Sequence, residues 1–122
     1  MDLSSTSTDK SLKARASRVA AIATMHADDV DKAGRFPKEA VDAMKAERLM
    51  GIQIPVDCDG EGRSTSEIAE LCTIMAQGCA ASAMIFAMHQ IKVSSLVSHG
   101  NDASWHREFM RRICADQFLL GS

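Results

Sequence analysis

The run Ser82-Ala83-Met84-Ile85-Phe86-Ala87-Met88-His89-Gln90-Ile91-Lys92-Val93-Ser94-Ser95-Leu96-Val97-Ser98 decides the fold. Its apolar side chains do not alternate, as a half-buried strand would require, but recur around most of a 3.6-residue turn. A helix apolar all round is expected to be buried all round, which makes this segment the central element, with Ser82 as its N-cap. His99-Gly100 should end it, and Asn101 or Asp102 should open a further helix carrying Trp105, Phe109 and Ile113 four residues apart. Arg107, Glu108, Arg111 and Arg112 of that helix are expected mostly to face water.

Upstream, Ser64-Thr65-Ser66-Glu67 has the form of a capping box, with Ser64 at the cap and Glu67 at the third helical position. The helix it opens places Ile68, Leu71, Cys72, Met75 and Cys79 on one face. Before it, Leu49-Met50-Gly51-Ile52-Gln53-Ile54-Pro55 alternates apolar residues at 50, 52 and 54 and reads as extended, since Pro55 disfavours helix just before it. Pro37 suits the first position of a helix with Glu39 in its first turn and an apolar stripe of Ala40, Val41 and Met44, ending near Arg48. The first helix runs from about Ser11 to Lys32, and Gly34 supplies its left-handed end. Downstream, Ala115-Asp116-Gln117 reads as a turn. Phe118-Leu119-Leu120 is an apolar run expected to begin a strand of a structure that continues beyond the sequence.

The expected class is therefore all-α, a compact bundle of about five helices. Residues 1–10 are read as a disordered tail, 11–117 as the helical domain and 118–122 as the start of a β-domain. Composition agrees: tyrosine is absent, Phe and Trp together number five, and methionine is common at eight. Hydrophobic residues make up 46% of the 122, enough for a core. A net charge of -2 removes the electrostatic footprint of a nucleic-acid binder. The N-terminus has no apolar core of a secretory signal, and no stretch reads as a membrane span, so a cytoplasmic location is expected.

Four cysteines, Cys58, Cys72, Cys79 and Cys114, show no zinc-ligand spacing. Cys72 and Cys79 would sit about 10 Å apart along one helix, beyond the roughly 7 Å a disulfide spans, so all four read as reduced thiols. The acidic loop Asp57, Asp59, Glu61 lacks the twelfth-position glutamate of a calcium loop, and no metal is expected. Gly60-Glu61-Gly62 fails the spacing of a phosphate loop. His89, mid-helix among apolar residues, reads as a core histidine, with proton transfer as the functional reading because imidazole titrates near neutrality. His26, His99 and His106 read as surface residues. Met84, Ala87, Met88 and Ile91 follow i, i+3, i+4, i+7 spacing, which periodicity alone reads as a core face before one wall of a groove.

From about Arg18 to Ser122 the chain resembles the N-terminal domain of acyl-CoA dehydrogenases. The resemblance rests on ordered pieces: Gly34-Arg35-Phe36-Pro37-Lys38-Glu39-Ala40 leading to Met44-Lys45, Leu49 to Pro55, and Gly60-Glu61-Gly62-Arg63-Ser64 with Glu67. Ala81-Ser82-Ala83, His89 and Gly100-Asn101-Asp102 before Trp105 follow. One departure lies after Pro55, where the family carries an aromatic and paired glycines and this chain has Cys58, Asp59 and Gly60.

The resemblance implies three domains, of which this is the first, with FAD held mainly by the other two and across a subunit interface. It implies an acyl-CoA substrate, a homo-oligomer, and α,β-dehydrogenation by a carboxylate base outside this segment, so that no catalytic residue is expected here. Ala83, Met84, Ala87, Met88 and Ile91 correspond to the helix bordering the acyl cleft. Flavin-dependent monooxygenases share the domain and are the alternative enzyme reading, for which His89 would serve proton transfer. A non-catalytic helical module that binds a partner is the alternative outside enzymes.

Overall fold

The computed structural model describes residues 11–99 and 104–120, with the backbone alone at position 99. Five α-helices carry the described chain: α1 (Leu12–Ala33), α2 (Lys38–Ala46), α3 (Thr65–Ala76), α4 (Ala80–His99) and α5 (Ser104–Asp116), with a 3-10 turn at Val56–Cys58. No strand occurs among the described residues. The all-α bundle expected from sequence is the fold found.

The helix ends follow local chemistry. Ser11 caps α1, its hydroxyl accepting from the Ala14 N–H. Gly34 at φ 59° closes the other end, and the Arg35 N–H reaches back to the Val30 carbonyl at 3.2 Å. Pro37 sits at the cap of α2, one position before the helix proper. The capping box of α3 is complete: the Glu67 N–H donates to the Ser64 hydroxyl, and the Ser64 N–H donates to the Glu67 carboxylate at 2.9 Å.

α1 packs against α2 and α3, and α3 against α4. The core between them holds Val19, Met44, Leu71, Met75, Phe86 and Val93, with Met110 and Ile113 from α5. Beneath it lies one tight polar device. Arg15 on α1, almost wholly buried, places a bidentate fork on Glu61 (3.0 and 2.8 Å) and donates to the Glu47 and Arg48 carbonyls that end α2. Burial disfavours the Glu61 charge, but Arg15, with Arg63 behind it, outweighs that and holds the carboxyl below its ordinary value. Glu61 is thus an ion-pair partner of the first helix; Asp57 pairs instead with Arg107 on α5 at 3.0 Å.

Several expectations are corrected. Residues 49–55 are not extended but form consecutive turns, with the Ile54 N–H bonded to the Gly51 carbonyl at 3.1 Å. Leu49 is as buried as Met50, Ile52 and Ile54, which strand alternation does not permit. The backbone there is satisfied by local turns, by the Gly62 and Arg63 N–H groups and by side chains, rather than by a neighbouring strand. α3 ends at Ala76, so Cys79 leaves its face and lies just before α4. α4 begins at Ala80, which puts Ser82 inside the helix rather than at its cap. The Ser82 hydroxyl is buried with no hydrogen-bond partner among the described residues. α5 continues through Ala115 and Asp116, and Gln117, at φ 53°, ends it. Trp105, Phe109 and Ile113 do not share one environment: Trp105 is exposed, Phe109 half-buried and Ile113 fully buried.

Among the surface histidines, His26 lies 3.9 Å from Glu39, while His106 is half-buried against Trp105, with ring centroids 4.0 Å apart. The tail at 1–10, the helix start at Asn101 or Asp102 and the His99 side chain lie outside the described residues. The four thiols are unpaired, as read from their spacing.

The largest correction concerns α4. It is not buried all round: Met84 is 64% exposed, Met88 45% and Ile91 68%. Its length and composition would suffice to cross a membrane, at a mean hydropathy of 1.2 over Ala80–Ser98. The packing explains that apolarity in another way, because Ala83, Phe86 and Val93 face the core, with Ile85, Leu96 and Val97 packed at its edge, while Met84, Met88 and Ile91 form a separate stripe.

Candidate functional site

Two opposite faces of α4 do different work. The inward face carries His89 and Gln90 into the turn at 49–51. The His89 Nε2 lies 2.7 Å from the Met50 carbonyl, and the Leu120 N–H donates to Nδ1 at 3.1 Å. A carbonyl only accepts and an amide only donates, so the ring carries its hydrogen on Nε2 and is neutral. Gln90 donates from Nε2 to the Leu49 carbonyl at 2.9 Å, and the Met50 N–H donates to the Gln117 side-chain oxygen at 3.0 Å. These bonds supply the partners that a strand would have given this buried backbone.

Both nitrogens of His89 are therefore engaged by backbone and the side chain is fully buried, the core-histidine arrangement. Burial pushes its pKa below the ordinary 6.5, against the opposing bond to Met50. The depressed value means that the neutral ring's contribution to stability is whole above pH 6.5 and lost as pH falls below it towards the folded value. A His89→Gln variant should accordingly lose its stability deficit relative to wild type as pH is lowered from 8 to 5, in urea titrations followed by circular dichroism. A pH-independent deficit would contradict the neutral, doubly bonded ring.

The outward face carries three of the five residues read from sequence as a wall. Met84, Met88 and Ile91 form one exposed stripe, spaced i, i+4, i+7. Ala87 is half-buried beside it, and Ala83 turns to the core at 7% exposure. At Ile91 and Ala87 the stripe runs into a groove of about 270 Å³ between α3 and α4. The sequence reading named these two α4 residues but missed the rest of the groove: Thr65, Ile68, Ala69 and Cys72 of α3, with Gln53, Gln90 and Ser94. The sequence places Ile68 and Cys72 on one face of α3 together with Leu71 and Met75. Their i, i+4 spacing with Ala69 beside them is the same signal that a groove wall gives, so periodicity alone did not separate core from groove. Cys72 is half-buried and its thiol pKa is raised by burial; the Cys114 thiol, buried near the Gly51 carbonyl, is pushed up to about 11. Neither is disposed to act as a nucleophile at neutral pH.

The chain matches the sequence profile of the acyl-CoA dehydrogenase N-terminal domain over residues 6–116. The chain belongs to the acyl-CoA dehydrogenase family. Within that family it resembles 3-sulfinopropanoyl-CoA desulfinase of Paraburkholderia xenovorans, at 30% identity over 79 residues, covering 64% of this chain and 20% of that protein. It also resembles the Mycobacterium leprae protein named as a probable acyl-CoA dehydrogenase, at 29% identity over 77 residues, 63% of this chain and 20% of that one. The acyl-CoA dehydrogenase N-terminal domain described here thus spans about a fifth of the length of these curated relatives. No solved structure matches it with statistical support.

Proposed function

We propose that this domain forms one wall of the acyl cleft in an FAD-dependent acyl-CoA dehydrogenase, and that the chemistry is done by parts of the protein outside this chain. One observation carries the reading: α4, otherwise a core helix, turns Met84, Met88 and Ile91 outward in a single stripe that opens into an apolar groove. Exposed apolar surface of this kind marks a binding face. Both relatives are named for acyl-CoA thioesters, although for different reactions on them, which favours a thioester with an alkyl portion as the shared substrate class. Each methylene buried on such a wall contributes about 0.8 kcal/mol.

The groove does not suit the flavin dinucleotide itself, because no cationic side chain lines it to meet a pyrophosphate. FAD, which supplies the hydride acceptor in this reading, would be held elsewhere in the protein, in a homo-oligomer. The same domain would serve a monooxygenase, but the backbone engagement of both His89 nitrogens favours dehydrogenation over a reaction that uses this ring for proton transfer. The partner-binding reading uses the same stripe, covered by protein rather than by an acyl chain.

Because Met88 and Ile91 are exposed, Met88→Asp and Ile91→Asp should leave the fold within about 0.5 kcal/mol. In the full-length flavoprotein each should raise the KM for an acyl-CoA substrate by about tenfold or more, since a carboxylate would face the alkyl chain without a partner. Normal folding with an unchanged KM would refute the cleft reading. Loss of co-purification with a protein partner, with thioester binding intact, would support the partner-binding module.

A further inference from the structure

The groove between α3 and α4 is mostly apolar, but beside the hydroxyls of Thr65 and Ser94 its lining holds an oriented amide chain. Gln90 is almost fully buried at 2% exposure and must present Nε2 to the Leu49 carbonyl, which can only accept. That fixes the Gln90 Oε1 towards Gln53, whose Nε2 donates to this oxygen and to the Gln90 backbone carbonyl, each at 2.8 Å. Rotating either amide by half a turn would set two acceptors against each other, so the direction of the chain is determined by its buried end. The consequence falls on Gln53. Its nitrogen is committed, and its Oε1 is left as an acceptor without a partner among the described residues, on a half-buried side chain that lines the groove.

We propose that Gln53 is a specificity-determining residue and that the groove takes an acyl group carrying a neutral hydrogen-bond donor, a hydroxyl, on its distal part. The inference rests on the acyl-cleft reading above and narrows its substrate class. An alkyl chain fits the sides formed by Ile68, Ala69, Ala87 and Ile91, while the hydroxyl donates to the Gln53 Oε1. Ser94, also on the groove, offers a hydroxyl that can donate in return. Charged ends fit poorly, because no ionisable carboxylate, ammonium or guanidinium lines the groove. A sulfinate, like a carboxylate, would find no cation on this groove. The volume of about 270 Å³ holds roughly nine water-sized groups, ample for a short hydroxyacyl chain.

The test is a length series of ω-hydroxyacyl-CoA thioesters, each compared with its unsubstituted alkyl counterpart, by dissociation constant on the full-length flavoprotein. At one chain length the hydroxyl should tighten binding by about three- to tenfold, the worth of one added hydrogen bond. The matching ω-carboxyacyl-CoA should bind more weakly than either. Gln53→Met should bring the hydroxyl-to-alkyl ratio to about one. A ratio is insensitive to loss of folded protein, and the wild-type ratio stands without any variant. Equal binding of hydroxy and alkyl thioesters at every length, or a preference that survives Gln53→Met, overturns this inference and leaves the cleft reading intact. Failure of every thioester to bind overturns both.

Discussion

Replacing Gly60 with Ala is expected to cost about 4 kcal/mol, a large part of the roughly 5–15 kcal/mol that holds a domain of this size together. A Cβ at position 60 would fall 2.0 Å from the Ile54 carbonyl oxygen and 2.5 Å from its carbon. Both atoms are backbone, and Ile54 is fully buried, so no flexible side chain can give way. The same carbonyl accepts from the Gly62 N–H at 2.8 Å, and the Gly60 N–H donates to the Pro55 carbonyl at 3.1 Å. Relief therefore means breaking the 55–62 loop away from the core, together with Glu61 and its ion pair. Chemical denaturation of Gly60→Ala beside wild type would measure this, and a midpoint within experimental error of wild type would mean that the close approach is absent. This contact also accounts for the departure after Pro55. Of the two glycines the family resemblance leads one to expect, the one present is at the position where a side chain has no room. Its neighbour Asp59 holds φ 71°, a left-handed conformation that aspartate tolerates better than most residues.

Arg15→Met should cost about 3 kcal/mol. The substitution keeps the aliphatic stem packed but removes the donors that Arg15 gives to the Glu47 and Arg48 carbonyls and to Glu61. The carbonyls account for most of the cost: they accept three of the five bonds, and partly buried acceptors left without a partner are expensive. Glu61 contributes less because a third of its side chain reaches water and Arg63 stays beside it. Arg15→Lys should recover less than half of the loss, because one ammonium cannot occupy the fork. Glu61→Gln should cost only about 1 kcal/mol. The charge contribution of Glu61 should be full above its ordinary value of 4.5 and fade as pH falls through the lower folded value. Equal costs for Arg15→Met and Glu61→Gln would assign the stabilisation to the ion pair and contradict the emphasis on the carbonyls.

The elements legible in the sequence were those governed by local rules. Gly34 at a left-handed helix end, the Ser64–Glu67 box and the five-helix count all follow from residues within a turn of one another. The elements misread were those settled by distant partners. The 49–55 segment alternates like a strand, yet at Leu49 and Met50 its backbone bonds to the side chains of His89, Gln90 and Gln117, some 40 or more residues away in most cases, which no periodicity reports. Ser82 looks like a cap because serine favours caps, but the chain between α3 and α4 is tight enough to start the helix two residues earlier. At the candidate site, sequence supplied the α4 stripe and not the groove beside it. A stripe of Met and Ile has the same spacing whether it meets protein or a ligand, and only the packing of α3 showed which part of α4 it covers. Gln53 and Gln90 gave no signal at all, since their importance lies in the direction of an amide chain that exists only once the two segments meet.

The two-sided character of α4 has a consequence for how such a domain can diversify. Ala83, Phe86, His89, Gln90 and Val93 are bound to the core and to the 49–51 turn, and changes there are filtered by folding. Met84, Met88 and Ile91 have no such duty, so substitutions at them escape that filter and are open to selection on what the surface meets. One helix thus holds a conserved-by-necessity register on one side and an adjustable one on the other. New preferences can be explored along the outer side by single steps, none of which puts the scaffold at risk.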